Sequence, residues 1–98
     1  MPSKGYVIAQ VLEISDQEGF AKYREVVGPS VASYAGLFIV RGGQAERIEG
    51  ASLCGRVVVI EFSSVAQAKA WYYSADYQAA VAVRQPVSSV EVMIVEGT

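Results

Sequence analysis

Four of the chain's ten aromatic residues fall within one short stretch, W-Y-Y-S-A-D-Y-Q, residues 71–78. Rings at this density either wall a small-molecule pocket or cover the apolar side of a helix. A buried phenol needs a hydrogen-bond partner, and a pocket makes that group useful. Tyr72 and Tyr77 are the candidates to face one, with Tyr77 as acid or base. Trp71 stands about 100° from Tyr72 on a helix, so the two cannot share a face. Trp71 therefore reads first as core and second as pocket wall. Ser74 reads as a helix cap or a ligand contact; without a nameable base it is no nucleophile.

Arg41, just before Gly42-Gly43, could hold a carboxylate or enolate in a two-pronged grip. Otherwise it ends in solvent or pairs with Glu46 or Glu61. Arg84 and Arg56 carry the same choice, weighted further toward structure. Glu61 interrupts an apolar run and would serve as a base if buried beside a pocket. Cys54 sits in a loop with no histidine partner, so no reactive thiol is expected.

The chain has no histidine. That removes the usual near-neutral acid/base, the Ser-His-Asp arrangement, the commonest transition-metal ligand and the usual proximal ligand of haem. The ten carboxylates show no ligand spacing, so neither a metal nor a cofactor is expected. Net charge is −2 with no basic run, which leaves no footprint for nucleic acid. No apolar run approaches the ~20 residues of a membrane span. The opening residues lack an apolar leader core and there is one cysteine, so the reading is a cytoplasmic protein.

These residues must be positioned by a single domain, residues 1–98. Strands are expected at 6–14, 37–41, 56–62 and 90–95, with 44–48 pairing back or extending the second. Ser15 to Glu18 has capping-box spacing, and Phe20, Tyr23, Val27, Val31 and Tyr34 form a helical stripe behind it. Gly28-Pro29 should kink or break that helix. Ser64 to Gln67 opens a second helix through Tyr72, and Ser74 caps a further piece running to about Arg84, where Pro86 stops it. The order β-α-β-(β)-β-α-β, with antiparallel sheet and both helices on one face, is the ferredoxin-like α+β plan. Strand one is apolar on both sides, yet two helices cover only one. Charged residues are 18%, where about 25% is ordinary. Both observations call for a homodimer that packs sheet against sheet.

In this order stand K-G-Y-V-I-A (4–9), F-I-V-R-G-G (38–43), R-V-V-V-I-E-F (56–62) and W-Y-x-S-x-x-Y-Q (71–78). Together they closely resemble the family called domain of unknown function 1330, of the dimeric α/β-barrel superfamily, over residues 5–97. The resemblance implies a ferredoxin-like dimer. The family's arginine before the double glycine falls on Arg41, its tryptophan and tyrosine on Trp71 and Tyr72. Its serine falls on Ser74, its tyrosine-glutamine pair on Tyr77 and Gln78, and its following arginine on Arg84. Ala35 stands where a glycine is common, Leu37 where a basic residue is common, and Ser63 replaces a frequent proline. Relatives in the superfamily include cofactor-free monooxygenases, small isomerases, haem enzymes and ligand-sensing domains.

The leading expectation is a homodimer with one small pocket per subunit, lined by Trp71, Tyr72, Ser74, Tyr77, Arg41 and Arg84. It would take a small anionic or carbonyl-bearing compound. As an enzyme it would be a cofactor-free oxygenase or isomerase, with Tyr77 or Glu61 as acid/base and Arg41 stabilising negative charge. The alternative is a non-catalytic ligand-sensing or structural dimer.

Overall fold

The computed structural model describes residues 3–51 and 55–98. Cys54 lies outside the described residues. Four strands, β1 (Gly5–Ile14), β2 (Leu37–Gly43), β3 (Arg56–Phe62) and β4 (Ser88–Glu96), form one antiparallel sheet in the order β2-β3-β1-β4. Helices α1 (Gln17–Ser33), α2 (Val65–Tyr72) and α3 (Ala75–Arg84) connect them, with a 3₁₀ turn at Gln85–Val87. This is the ferredoxin-like plan. Residues 44–48 form no strand. No helix among the described residues is long and apolar enough to cross a membrane.

The start of α1 is capped one residue later than the S-x-x-E spacing suggests. Asp16, not Ser15, accepts from the backbone N–H groups of Glu18 and Gly19, while the N–H of Ser15 is taken by Val87. The helix also runs unbroken through Pro29. Pro29 deprives the Glu25 carbonyl of its helical donor, but both residues are exposed, so water can satisfy that oxygen. Ser64 and Ser74 cap their helices as read, each accepting from the backbone N–H three residues on.

Helix α1 ends in a Schellman turn: Ala35 N–H donates to Ala32 O and Gly36 N–H to Val31 O, both at 3.0 Å. The left-handed position falls on Ala35, at φ 58°, rather than on a glycine. Its Cβ crowds the backbone there, a strain that only the bonds around it offset.

Val7, Ile60 and Phe62 from the sheet meet Val27 and Val31 of α1, Trp71 of α2, and Tyr77, Ala80 and Val81 of α3 in one buried cluster. Trp71 is 1% exposed, and its Nε1–H donates to Ser30 Oγ at 3.1 Å, which in turn donates to Val27 O. This chain satisfies the polar atoms that burial of Trp71 and Ser30 would otherwise strand. Truncating a buried aromatic of this size costs about 3–5 kcal/mol.

The opposite face of the sheet carries no helix. Leu37 and Met93 are each 59% exposed on it, and Ile39, Val40 and Val95 are exposed beside them.

Candidate functional site

Between α1, α3 and the covered face of the sheet lies a cavity of about 630 Å³. Strand alternation brings Val7, Ala9 and Val11 of β1 to its floor, facing Val58 and Ile60 of β3 and Val92 of β4. Phe20, Tyr23 and Val27 of α1 form the roof at helical spacing, and Trp71 and Tyr77 close the inner end.

Two irregularities in the sheet aim further residues inward. In β2 the register shifts between Phe38 and Val40, so that Phe38 faces Ile60 but Arg41 faces Val58. Strict alternation would put Phe38 and Arg41, three apart, on opposite faces; the extra residue Ile39 puts both over the cavity. A second shift follows at Gly42, whose φ of 72° suits glycine. In β1 a shift at Leu12 does the same for Ile14, turning it to the same side as Val11. The guanidinium of Arg41 then lies 4.2 Å from the centre of the Phe38 ring and reaches α1 at Gly28. A Cβ on Gly28 would stand only 3.3 Å from Arg41 Nη2, so the glycine leaves the space this side chain fills.

At the inner end the hydroxyls of Tyr23 and Tyr77 share a hydrogen bond of 2.8 Å. Tyr77 is 2% exposed and stacks on Trp71 with ring centres 4.0 Å apart. Burial pushes the Tyr77 hydroxyl above the ordinary phenol range, while the hydrogen bond from Tyr23 and the charge of Arg84 pull it back. Tyr23 is pushed up further, first by burial and then by the neighbouring Tyr77 phenol. Both are therefore protonated at neutral pH. One hydroxyl donates to the other, so the acceptor keeps a proton of its own to donate.

Arg84, two helical turns after Tyr77 on α3, carries its guanidinium 5.4 Å from the centre of the Tyr23 ring. The residue is 4% exposed, and its Nε has no hydrogen-bond partner among the described residues. The single ion pair among those residues, Lys4 to Glu61 at 2.8 Å, lies elsewhere. Arg84 is thus a buried cation answered only by the neutral phenols of Tyr23 and Tyr77, with no carboxylate beside it among the described residues, an arrangement that costs free energy unless something anionic joins it.

The cavity edge repeats the bias. Arg24, Arg41, Arg56 and Arg84, four of the chain's five arginines, line the cavity together with Gln17, and no Asp or Glu does among the described residues. Arg24 lies over Phe20 and Arg56 donates to Gly42 O at 2.9 Å, contacts that fix the guanidinium groups without neutralising them.

Of the residues singled out from sequence, the fold brings Trp71, Tyr77, Arg41 and Arg84 to one cavity. Tyr72 is not among its walls; it edges a shallow groove beside β4 with Tyr73 and Met93. Ser74 is also absent from it, its Oγ engaged by the Trp71 carbonyl and the Tyr77 N–H. Glu61 faces the other side of the sheet beside Tyr6, where the hydrogen bond from Lys4 holds its carboxyl below the usual range. A carboxylate so placed cannot reach the cavity. Tyr23 is the residue that sequence reading passed over as part of a helical stripe. Its signal was a hydroxyl at a position where phenylalanine would pack as well.

Residues 4–98 match the family model described as "Domain of unknown function (DUF1330)". No curated protein matches the sequence. Among solved structures, a protein of unknown function from Rhodopseudomonas palustris is similar at TM-score 0.75 and 17% identity, covering 100% of this chain and 85% of that one. A dimeric ferredoxin-like protein of unknown function from Jannaschia sp. CCS1 aligns at TM-score 0.70 and 14% identity, over 95% and 98%. The hydroxynitrile lyase of Passiflora edulis aligns at 0.67 and 15% identity, over 100% and 96%. At these identities the likeness is one of fold.

Proposed function

The chain belongs to the DUF1330 family, and from that premise we propose that it is a homodimer binding one small anionic or carbonyl-bearing compound per subunit. The observation that carries the binding reading is Arg84, buried without an acidic partner at the end of an apolar cavity. A carboxylate or enolate oxygen there would take the guanidinium and the free phenol proton together, while the apolar walls exclude water and strengthen both contacts. The exposed apolar sheet face and the relatives described as dimeric support the dimer.

If the site does chemistry, it works by stabilising charge. Arg84 and the protonated Tyr77–Tyr23 pair would hold an enolate oxygen as it develops, the carbon-bound proton passing to water at the cavity mouth, with Tyr77 able to protonate the enolate oxygen. That suits cofactor-free turnover of an activated carbon acid, of oxygenase or isomerase type. Glu61, ion-paired on the other face, takes no part. One observation favours the second reading, a ligand-sensing module: the cavity's described walls hold neither carboxylate nor histidine to act as a base.

Phenylpyruvate, both a carboxylate and an enolisable ketone, tests the pair of readings. Calorimetric titration should show binding to the wild type and at least a tenfold loss in Arg84→Gln; equal affinity in both proteins would remove the pocket assignment. Hydrogen–deuterium exchange at its methylene, followed by NMR, separates the two. Exchange accelerated by wild type and slowed in Tyr77→Phe supports catalysis, and binding without acceleration supports sensing.

A further inference from the structure

One arginine would suffice for a monoanion, yet three more stand along the edge of the same cavity. We infer that the ligand carries two acidic groups: one at Arg84 and the Tyr23–Tyr77 pair, the other at the outer edge between Arg41 and Arg56. The inference rests on the pocket reading above and names the class of compound that pocket takes, an apolar chain or ring with an acid at each end.

Arg41 and Arg56 come from neighbouring strands and meet around Gly42. Arg56 Nη1 donates to the Gly42 carbonyl, and Arg41 precedes that glycine in β2. The bulge at Ile39 is what turns Arg41 onto the cavity side, where an unbroken strand would have sent it to the open face. A cation needed only for solubility gains nothing from such an orientation. Both residues are exposed, so a ligand's second acid could remain partly hydrated while it binds them. Neither has an acidic partner among the described residues. Each is held by a group that leaves its charge intact, a ring face for Arg41 and a carbonyl for Arg56. From Arg41 the cavity floor runs across the sheet through Val58, Ala9 and Val92, each paired with the next and all apolar. A mono-acid would fill the inner end and leave the outer pair unanswered.

Straight-chain acids make the test, because length and charge vary separately. Hexanoate, octanoate and decanoate are compared with hexanedioate, octanedioate and decanedioate by calorimetric titration. Wild type is set beside Arg41→Gln/Arg56→Gln and Arg84→Gln, with circular dichroism confirming that each variant is folded. The expected result is a diacid that, at one length, binds at least tenfold tighter than its mono-acid counterpart. That advantage should disappear in Arg41→Gln/Arg56→Gln, with mono-acid affinity little changed. Equal binding of mono- and diacids at every length, still lost in Arg84→Gln, would overturn the second acid group and leave the pocket reading standing. A diacid preference that survives in Arg41→Gln/Arg56→Gln would overturn the assignment to these two residues. No binding of any acid to wild type would overturn both readings.

Discussion

On its covered face the sheet presents Val7, Ala9, Val58 and Val92 to a cavity lined by four arginines and no acid. On its open face Ile8, Val59 and Met93 lie in line with one another; Lys4 there pairs with Glu61, and Glu91 stands exposed beside Gln10 without an ion-pair partner among the described residues. The strands are the same and nearly equal in apolar character on the two sides. What differs is where the unpaired charge sits and its sign: cations gathered around an enclosed cavity on one side, an acid in open solvent on the other. A face that another protein surface covers gains from neutral, apolar, pre-paired groups, since each unpaired charge would cost desolvation. A cavity built around unbalanced cations gains only when an anion arrives.

The largest effect should come from placing charge on the open face. Ile39→Glu/Met93→Glu substitutes two residues already exposed in the single chain, so the fold should survive. A two-fold interface repeats each change, and the self-dissociation constant should rise by about 100-fold or more. Sedimentation velocity at micromolar concentration reads it; a wild type of monomer mass would break the comparison at once.

Next is Arg84→Met on the covered face. Ligand-free stability in urea should rise by about 1 kcal/mol, because a buried unpaired charge is replaced by a side chain of similar length. The stabilisation that added octanoate gives the wild type should vanish. A stability loss of several kcal/mol would mean that Arg84 already has an answering partner.

Tyr23→Phe breaks the hydroxyl pair and should cost about 1 kcal/mol in urea melts. Its pH dependence is the sharper reading. Both phenols have folded pKa values raised above the ordinary 10.0, so the folded state keeps them protonated while the unfolded chain ionises. Their contribution is complete below pH 10 and is lost as pH rises beyond it. Wild type should therefore lose stability above pH 10 more steeply than Tyr23→Phe, with the tyrosinate absorbance of these two buried phenols appearing only as the protein unfolds.

Ala35→Gly, at the corner leading from α1 to β2, should add about 0.5–1 kcal/mol by relieving the left-handed Cβ while touching neither face. Smallest of all is Glu61→Gln. Being across the sheet, it should leave carboxylate affinity unchanged, and any loss of binding would reopen its place in the site.

Much of the fold was legible because its signals are local. The β-branched run at 56–62, the caps at Ser64 and Ser74, and the stop near Pro86 each act within a few residues of themselves. The readings that failed were also local ones overruled from a distance. Ser15 could not cap α1 because its backbone was drawn to Val87, and of the kink or break expected at Gly28-Pro29 the break does not occur, since the freed carbonyl belongs to the exposed Glu25, where water can satisfy it. For the candidate site, residue type was legible and direction was not. Tyr72 and Tyr77 looked equivalent, but the break at Ser74 sends one to a groove by β4 and the other into the cavity.

By itself the sequence determined a small antiparallel α+β domain, apolar on both sides of its sheet, without histidine and with five arginines spread along its length. Only the tertiary structure decided that four of those arginines share one cavity, that Tyr23 meets Tyr77, and that Glu61 is excluded. The reason is geometric. A single bulge reverses every later side chain in a strand, and a contact between α1 and α3 joins residues 54 positions apart. Composition and periodicity specify which face is apolar; the register of the folded sheet decides which charges are left without a partner.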